Sequence, residues 1–211
     1  IWNRERDESP LRTITRAQAE KLAARFAGEP GIVVDWAMRY GNPSTTEVLD
    51  RLEAQGCRRL VLMALYPQYA APTTATAYDK AFDALKRMRW QPAVRTMPPY
   101  CDHPDYVRLL AHSIRTHLAD AGFEPQQVLM SYHGMPLSYL KKGDPYHCMC
   151  RKTTRLVGEA LGWPEDRILT CFQSRFGRGP WLQRDTDKSL EARGAEGVKK
   201  IDIVCPGFAV D

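Results

Sequence analysis

From Ile32 onward, short apolar runs alternate with longer amphipathic segments, and that alternation predicts most of the secondary structure. The runs that read as strands are Ile32–Tyr40, Leu60–Tyr66, Ala93–Met97, Gln127–His133, Arg167–Phe172 and Lys200–Cys205. Ser44-Thr45-Thr46-Glu47 is a capping box that opens a helix to Gln55, and Gly56 stands where that helix should stop. Thr73–Met88 carries Ala77, Tyr78, Ala81, Phe82, Leu85 and Met88 at helical spacing, a stripe that reads as core packing. Asp102-His103-Pro104 opens a helix over Asp105–Ala121 that buries Val107, Leu110, Ile114 and Leu118. Strands and helices in regular succession are the mark of βαβ units, so the expected fold is α/β with parallel sheets. The segment Pro98-Pro99-Tyr100 suits a boundary between two halves, 1–98 and 99–211.

The run Gln127–His133 delivers a histidine to a Gly/Pro-containing turn, Gly134-Met135-Pro136. Ligands in open α/β sheets sit beyond the carboxyl ends of the strands, so a titratable, metal-capable side chain there is well placed for chemistry. The competing reading is a histidine that only packs and hydrogen-bonds at a strand end. Two long polar connections, Gly134–Tyr146 and Gln173–Asp185, follow strands whose ends line the same crevice and are expected to wall a pocket beside His133.

Composition narrows the class. A hydrophobic share of 44% and a charged share of 26% are those of a globular protein, with no apolar run long enough to cross a bilayer. The first residue is Ile1 and Ile1-Trp2-Asn3-Arg4 has no signal-peptide pattern, so the chain is expected to start within something longer. The net charge of +5 is spread along the chain and suits a carboxylate-bearing small molecule, while no nucleic-acid motif is present. Of the six cysteines, Cys57, Cys171 and Cys205 sit in or beside apolar runs, which points to reduced thiols and a cytosolic setting. His147, Cys148 and Cys150 invite a metal reading, but a structural cluster wants about four ligands, usually including a second close pair. Thiols are therefore the expectation. His112 and His117 are five apart and do not share a helix face.

Neither a Gly-x-Gly-x-x-Gly nor a phosphate-cradling loop is present, and Ser131-Tyr132-His133-Gly134 lacks the glycines of a nucleophile elbow. What remains is a cleft with one histidine, the loop arginines Arg175, Arg178 and Arg184, and the aromatics Tyr66, Tyr69, Tyr78, Phe176 and Trp181. Aromatic walls suit a flat apolar ligand, and the cations suit peripheral carboxylates.

Ser131-Tyr132-His133-Gly134-Met135-Pro136 followed by Gly143-Asp144-Pro145-Tyr146 resembles the histidine-bearing segment of ferrochelatases. The resemblance extends to Tyr66-Pro67-Gln68-Tyr69 with Thr73-Thr74, Phe172-Gln173-Ser174-Arg175 with Pro180-Trp181-Leu182, and Cys205-Pro206-Gly207-Phe208-Ala209-Val210-Asp211. It implies two Rossmann-like, chelatase-type parallel-sheet domains with helices on both faces. It also implies a lyase that inserts ferrous iron into protoporphyrin IX to give protoheme, the terminal step of heme biosynthesis. Under it His133 matches the residue assigned to metal binding and pyrrole proton removal. Arg39 and Tyr40 match a pair at the inner end of the pocket, Ser9 a porphyrin-lining serine, and Tyr78, Ser174 and Trp181 further cleft positions.

The partners so implied are protoporphyrin IX and ferrous iron, in the cytoplasm, with peripheral membrane association compatible and no resident cofactor assigned. A porphyrin- or heme-binding protein without catalysis is the alternative. The chain departs from the family in three places. The acidic Asp-any-any-Glu motif reaches only its Asp211, Asp7-Glu8 replaces the usual glycines before Ser-Pro, and the earlier strands and lip have no counterpart. The first domain is thus expected to be incomplete and the chain alone inactive. Some members carry a two-iron cluster, a pattern that Cys148 and Cys150 do not reproduce.

Overall fold

A computed structural model describes residues 7–207, so Ile1-Trp2-Asn3-Arg4 and the motif residues Phe208-Ala209-Val210-Asp211 lie outside the described residues. The described residues divide into two compact units, one made of 7–64 with 72–97, the other of 65–71 with 98–207. The ladders between the strands among the described residues are parallel, as an α/β chain built from βαβ units requires.

The first unit contains helices α1 (Pro10–Arg25) and α2 (Thr45–Ala54), strand β1 (Arg59–Leu62), helix α3 (Thr76–Leu85) and strand β2 (Ala93–Thr96). The capping box at α2 is formed as expected: Ser44 Oγ accepts from Glu47 N at 3.2 Å and Glu47 Oε2 accepts from Ser44 N at 2.9 Å. Gly56 follows at φ +81°, a backbone only glycine adopts at little cost, and ends the helix. Leu49 from α2 and Ala81, Ala84 and Leu85 from α3 pack on Leu60 of β1, with Val94 of β2 at the margin.

Three expectations need correction here. The stretch 32–40 is not a strand: apart from a bridge between Met38 and Ser44, no neighbouring strand pairs with it among the described residues. Ile32 and Val33 are about half exposed, and the segment is held instead by Asp35, whose Oδ2 accepts from Arg51 at 2.7 and 2.9 Å. The helix expected over Thr73–Met88 begins with a π-helical turn, Ala71–Ala75, and ends at Leu85, with Phe82 facing solvent rather than core. The strand expected over Leu60–Tyr66 stops at Leu62.

The second unit carries α4 (Pro104–Ala121), β3 (Gln127–His133), α5 (Leu137–Lys141), α6 (Tyr146–Leu161), β4 (Ile168–Gln173), α7 (Thr186–Ala195) and β5 (Ile201–Val204). Its sheet runs β4-β3-β5, so β3 is central, and Val128 through Tyr132 are all buried. That is why β3 reads as a continuous apolar run rather than an alternating one. Val128, Met130 and Tyr132 point to the face packed by Val107 and Ile114 of α4 and by Cys150 and Val157 of α6. Ser131 points the other way, where its hydroxyl meets Thr186 of α7 at 2.8 Å. Helices therefore cover both faces. The Gly134–Tyr146 connection, expected as an open loop, folds back as α5 before entering α6.

Candidate functional site

β3 ends at the carboxyl edge of its sheet with His133 exposed, while the five residues before it are buried. The strand thus changes from core to surface at the one residue with acid–base and metal-binding capacity. The imidazole makes no hydrogen bond with another described residue, whereas its main chain is held firmly. His133 pairs in register with Gln173 of β4, Gly134 N donates to the Gln173 carbonyl at 2.6 Å, and the Tyr146 hydroxyl donates to the His133 carbonyl at 3.1 Å. The main chain at His133 is thus bonded on several sides, while the ring itself is exposed.

Gly134 is required by a close approach. A Cβ there would lie 2.7 Å from the Gln173 carbonyl oxygen and 3.3 Å from Cε3 of Trp181. Trp181 fills the space that glycine leaves and bridges to Pro136 through the backbone, with Leu137 N donating to Pro180 O at 2.9 Å. Only 5% of Trp181 is exposed. The ring that reaches solvent is Phe176, 70% exposed and set edge-on to Trp181 with centroids 5.0 Å apart. Ser174 opens this loop with φ +64°, a left-handed backbone uncommon for a residue with a side chain, and its side chain is exposed. Arg175 spans the loop, reaching Asp185 at 3.7 Å and the Gly179 carbonyl at 3.3 Å.

The His147-Cys148-Met149-Cys150 stretch lies in the first turns of α6. Cys148 is exposed while Cys150 is fully buried, so the two thiols point to opposite sides of the helix. Burial pushes the Cys150 thiol well up, which keeps it protonated and inert. His147 stacks on Phe172 at 5.8 Å, and desolvation, aided by Arg151, holds it below the ordinary histidine value.

The remaining expected residues belong to the first unit. Ser9 is the N-cap of α1, its hydroxyl accepting from Arg12 N at 3.3 Å. Arg39 lies over the ring of Tyr40 at 4.5 Å, with its Nε buried and without a hydrogen bond among the described residues, and Tyr40 is 74% exposed. Tyr78 donates its hydroxyl to the Met97 carbonyl at 3.0 Å, beyond the end of β2. Sequence reasoning assigned no role to Tyr146 or Asp144. Both stood inside the quoted Gly-Asp-Pro-Tyr motif, which was the available signal.

Comparison with known proteins bears on this geometry. A family model described as Ferrochelatase matches residues 3–211. The ferrochelatase of Rhizobium meliloti is 56% identical over 211 residues, 100% of this chain and 62% of the relative. That of Mesorhizobium japonicum is 58% identical over the same 211 residues, 60% of its own length. The chain thus spans about 60% of the curated relatives it matches. Among solved structures, SirB from Bacillus subtilis with Fe3+ is similar at TM-score 0.59 and 13% identity, over 95% of this chain and 86% of that one. At that identity the likeness is one of fold.

Proposed function

Because the chain belongs to the ferrochelatase family, we propose that the full-length protein inserts ferrous iron into protoporphyrin IX and forms protoheme, the terminal step of heme biosynthesis. The observation that carries the reading is His133, an exposed imidazole at the end of a buried strand with no hydrogen bond to its ring among the described residues, and with its main chain held by Gln173, Gly134 and Tyr146. Metalation requires that two pyrrole protons leave and that ferrous iron shed water, and a neutral imidazole can accept a proton or bind the metal. A group that serves in either way must keep one ring nitrogen open, and the exposure of His133 supports that reading.

The same proposal assigns Ser9, Arg39, Tyr40, Tyr78, Ser174 and Trp181 to the porphyrin site. Trp181 acts from beneath: it is buried, and the apolar surface it supports is the exposed Phe176. Arg175 and Arg178 in the same loop are exposed cations suited to porphyrin carboxylates. The division into domains 1–98 and 99–211, cytoplasmic location and lyase chemistry belong to this reading too. No described helix is long and apolar enough to cross a membrane.

The test is His133→Ala in the full-length protein, followed by metalloporphyrin formation from ferrous iron. An exposed side chain costs within about 0.5 kcal/mol on removal, so the variant should fold normally and lose iron insertion. Near-normal turnover would overturn the assignment. Tight porphyrin binding by an unaltered protein that never metalates would instead support the binding protein without catalysis.

A further inference from the structure

We propose that Asp144 and Tyr146 are positioning residues for His133, fastening the histidine's main chain and the stretch before Pro72 to one support at the start of α6. The inference rests on the function proposed above. Tyr146 is 6% exposed, and its hydroxyl reaches back thirteen residues to donate to the His133 carbonyl at 3.1 Å. Burial raises its phenol far above the ordinary value, so it remains a donor at any working pH. Asp144 holds Tyr146 in turn. Its Oδ1 accepts from Tyr146 N at 3.0 Å, and its Oδ2 accepts from Ala71 N at 2.8 Å. That carboxylate stands just before α6, facing the end of the helix where the first backbone N–H groups lack helical partners.

One carboxylate thus uses both oxygens, each on a different part of the chain. The second part is the segment that carries Tyr66 and Tyr69, expected as cleft aromatics. It is tied to α6 twice more, through Gln68 Nε2 to Thr153 Oγ1 at 3.1 Å and Tyr69 N to Met149 Sδ at 3.3 Å. The arrangement fixes the height of the histidine main chain relative to an aromatic wall without touching the imidazole. Displacement of a reacting group by about 1 Å can cost as much as a hundredfold in rate, so such a support should be felt in turnover.

Tyr132 supplies a matched control. It is fully buried on β3 and bonds Thr154 at 3.1 Å, the same chemistry in the same core, but its hydroxyl makes no bond to His133. The experiment compares Tyr146→Phe, Asp144→Ala and Tyr132→Phe in the full-length protein by thermal unfolding, steady-state kinetics, and NMR of the His133 ring. Tyr146→Phe should lower kcat about tenfold with KM for porphyrin little changed, and should shift or broaden the His133 signals. Asp144→Ala should lower kcat and raise KM together, because both arms are lost. Tyr132→Phe should lower Tm to a similar degree and leave kcat and the ring signals alone. If Tyr146→Phe lowers kcat no more than Tyr132→Phe, or leaves the His133 ring undisturbed, the positioning role is wrong. If the unaltered protein fails to metalate, the proposed function fails, and the NMR comparison still decides whether Tyr146 positions His133.

Discussion

Gly134→Ala tests the site with one methyl group. The added carbon would stand 2.7 Å from the Gln173 carbonyl oxygen, 3.3 Å from Cε3 and 3.7 Å from Cζ3 of Trp181. That oxygen also accepts the 2.6 Å hydrogen bond from Gly134 N, and Gln173 is itself in register with His133. The clash is therefore with backbone fixed in a ladder, and relief requires the end of β3 or β4 to move. Overpacking of this kind costs about 1–3 kcal/mol, and weakening the hydrogen bond about 1 more. A stiffer unfolded chain returns about 0.4–1 kcal/mol. The expected net loss is about 1–3.5 kcal/mol, with lowered turnover because His133 is the adjoining residue. Gly158→Ala is the comparison, since a Cβ there meets Ile168 Cγ2 at 2.8 Å, nearly the same distance. That neighbour is the branch methyl on Cβ of buried Ile168, stiff at χ1 but side chain rather than ladder backbone, and alanine inside α6 gains about 1 kcal/mol of helix propensity. Gly158→Ala should lose less stability than Gly134→Ala. Urea unfolding of both variants with unchanged m-values gives the numbers. A Gly134→Ala protein as stable as the original, or a Gly158→Ala protein that is the less stable of the two, would refute the argument.

Two further outcomes are expected. Glu8 is buried, accepts from Arg16 at 2.5 and 3.2 Å and from Thr13 at 2.8 Å, and the Arg16 hydrogen bond is the main cause of its lowered pKa. A depressed folded value means this stability is fully present above the ordinary carboxylate value of 4.5 and is lost as pH falls through the lower folded value. The urea midpoint should drop on acidification in that window, and Glu8→Gln should start lower at neutral pH and lack the drop; parallel pH profiles would contradict this. Among the cysteines, exposed Cys148 and Cys205 should react with a disulfide reagent in the native protein, while buried Cys101, Cys150 and Cys171 should react only on unfolding. Iron–sulfur absorption in anaerobically purified protein that disappears in a Cys148→Ser, Cys150→Ser variant would show these residues to be ligands instead.

Where an element's stability comes from its own residues, the sequence predicts it well. The Ser44–Glu47 box is reciprocal within four residues, and α2 starts where it should. β3 was legible to the residue because a central strand covered on both sides leaves an unbroken apolar run and ends where burial ends. The stretch 32–40 is also rich in apolar residues but has no ladder among the described residues. Apolar and β-branched residues record the tendency to pair, and the hydrogen bonds need a neighbour the local pattern cannot supply. α5 went unseen for the opposite reason: a five-residue helix is too short to show a period.

The same division runs through the site. His133 could be proposed because imidazole chemistry is carried by residue type, and its place at a strand end followed from the strand pattern. Its supports could not be, because they act on backbone groups that every residue has. The Tyr146 hydroxyl finds a carbonyl thirteen positions away, and Asp144 finds an amide seventy-three away. Trp181 shows how this changes a role without changing a residue. As an aromatic beside a cleft it reads as a wall, but Gly134 lets it come so close to the backbone that it is buried, and Phe176 takes the exposed position. A Phe176→Ala variant should therefore weaken porphyrin binding without unfolding the loop, whereas Trp181→Ala should release Gly134 and disturb His133 as well. Equal effects of the two on kcat, with His133 undisturbed in both, would mean that Trp181 contacts the ligand from the surface after all.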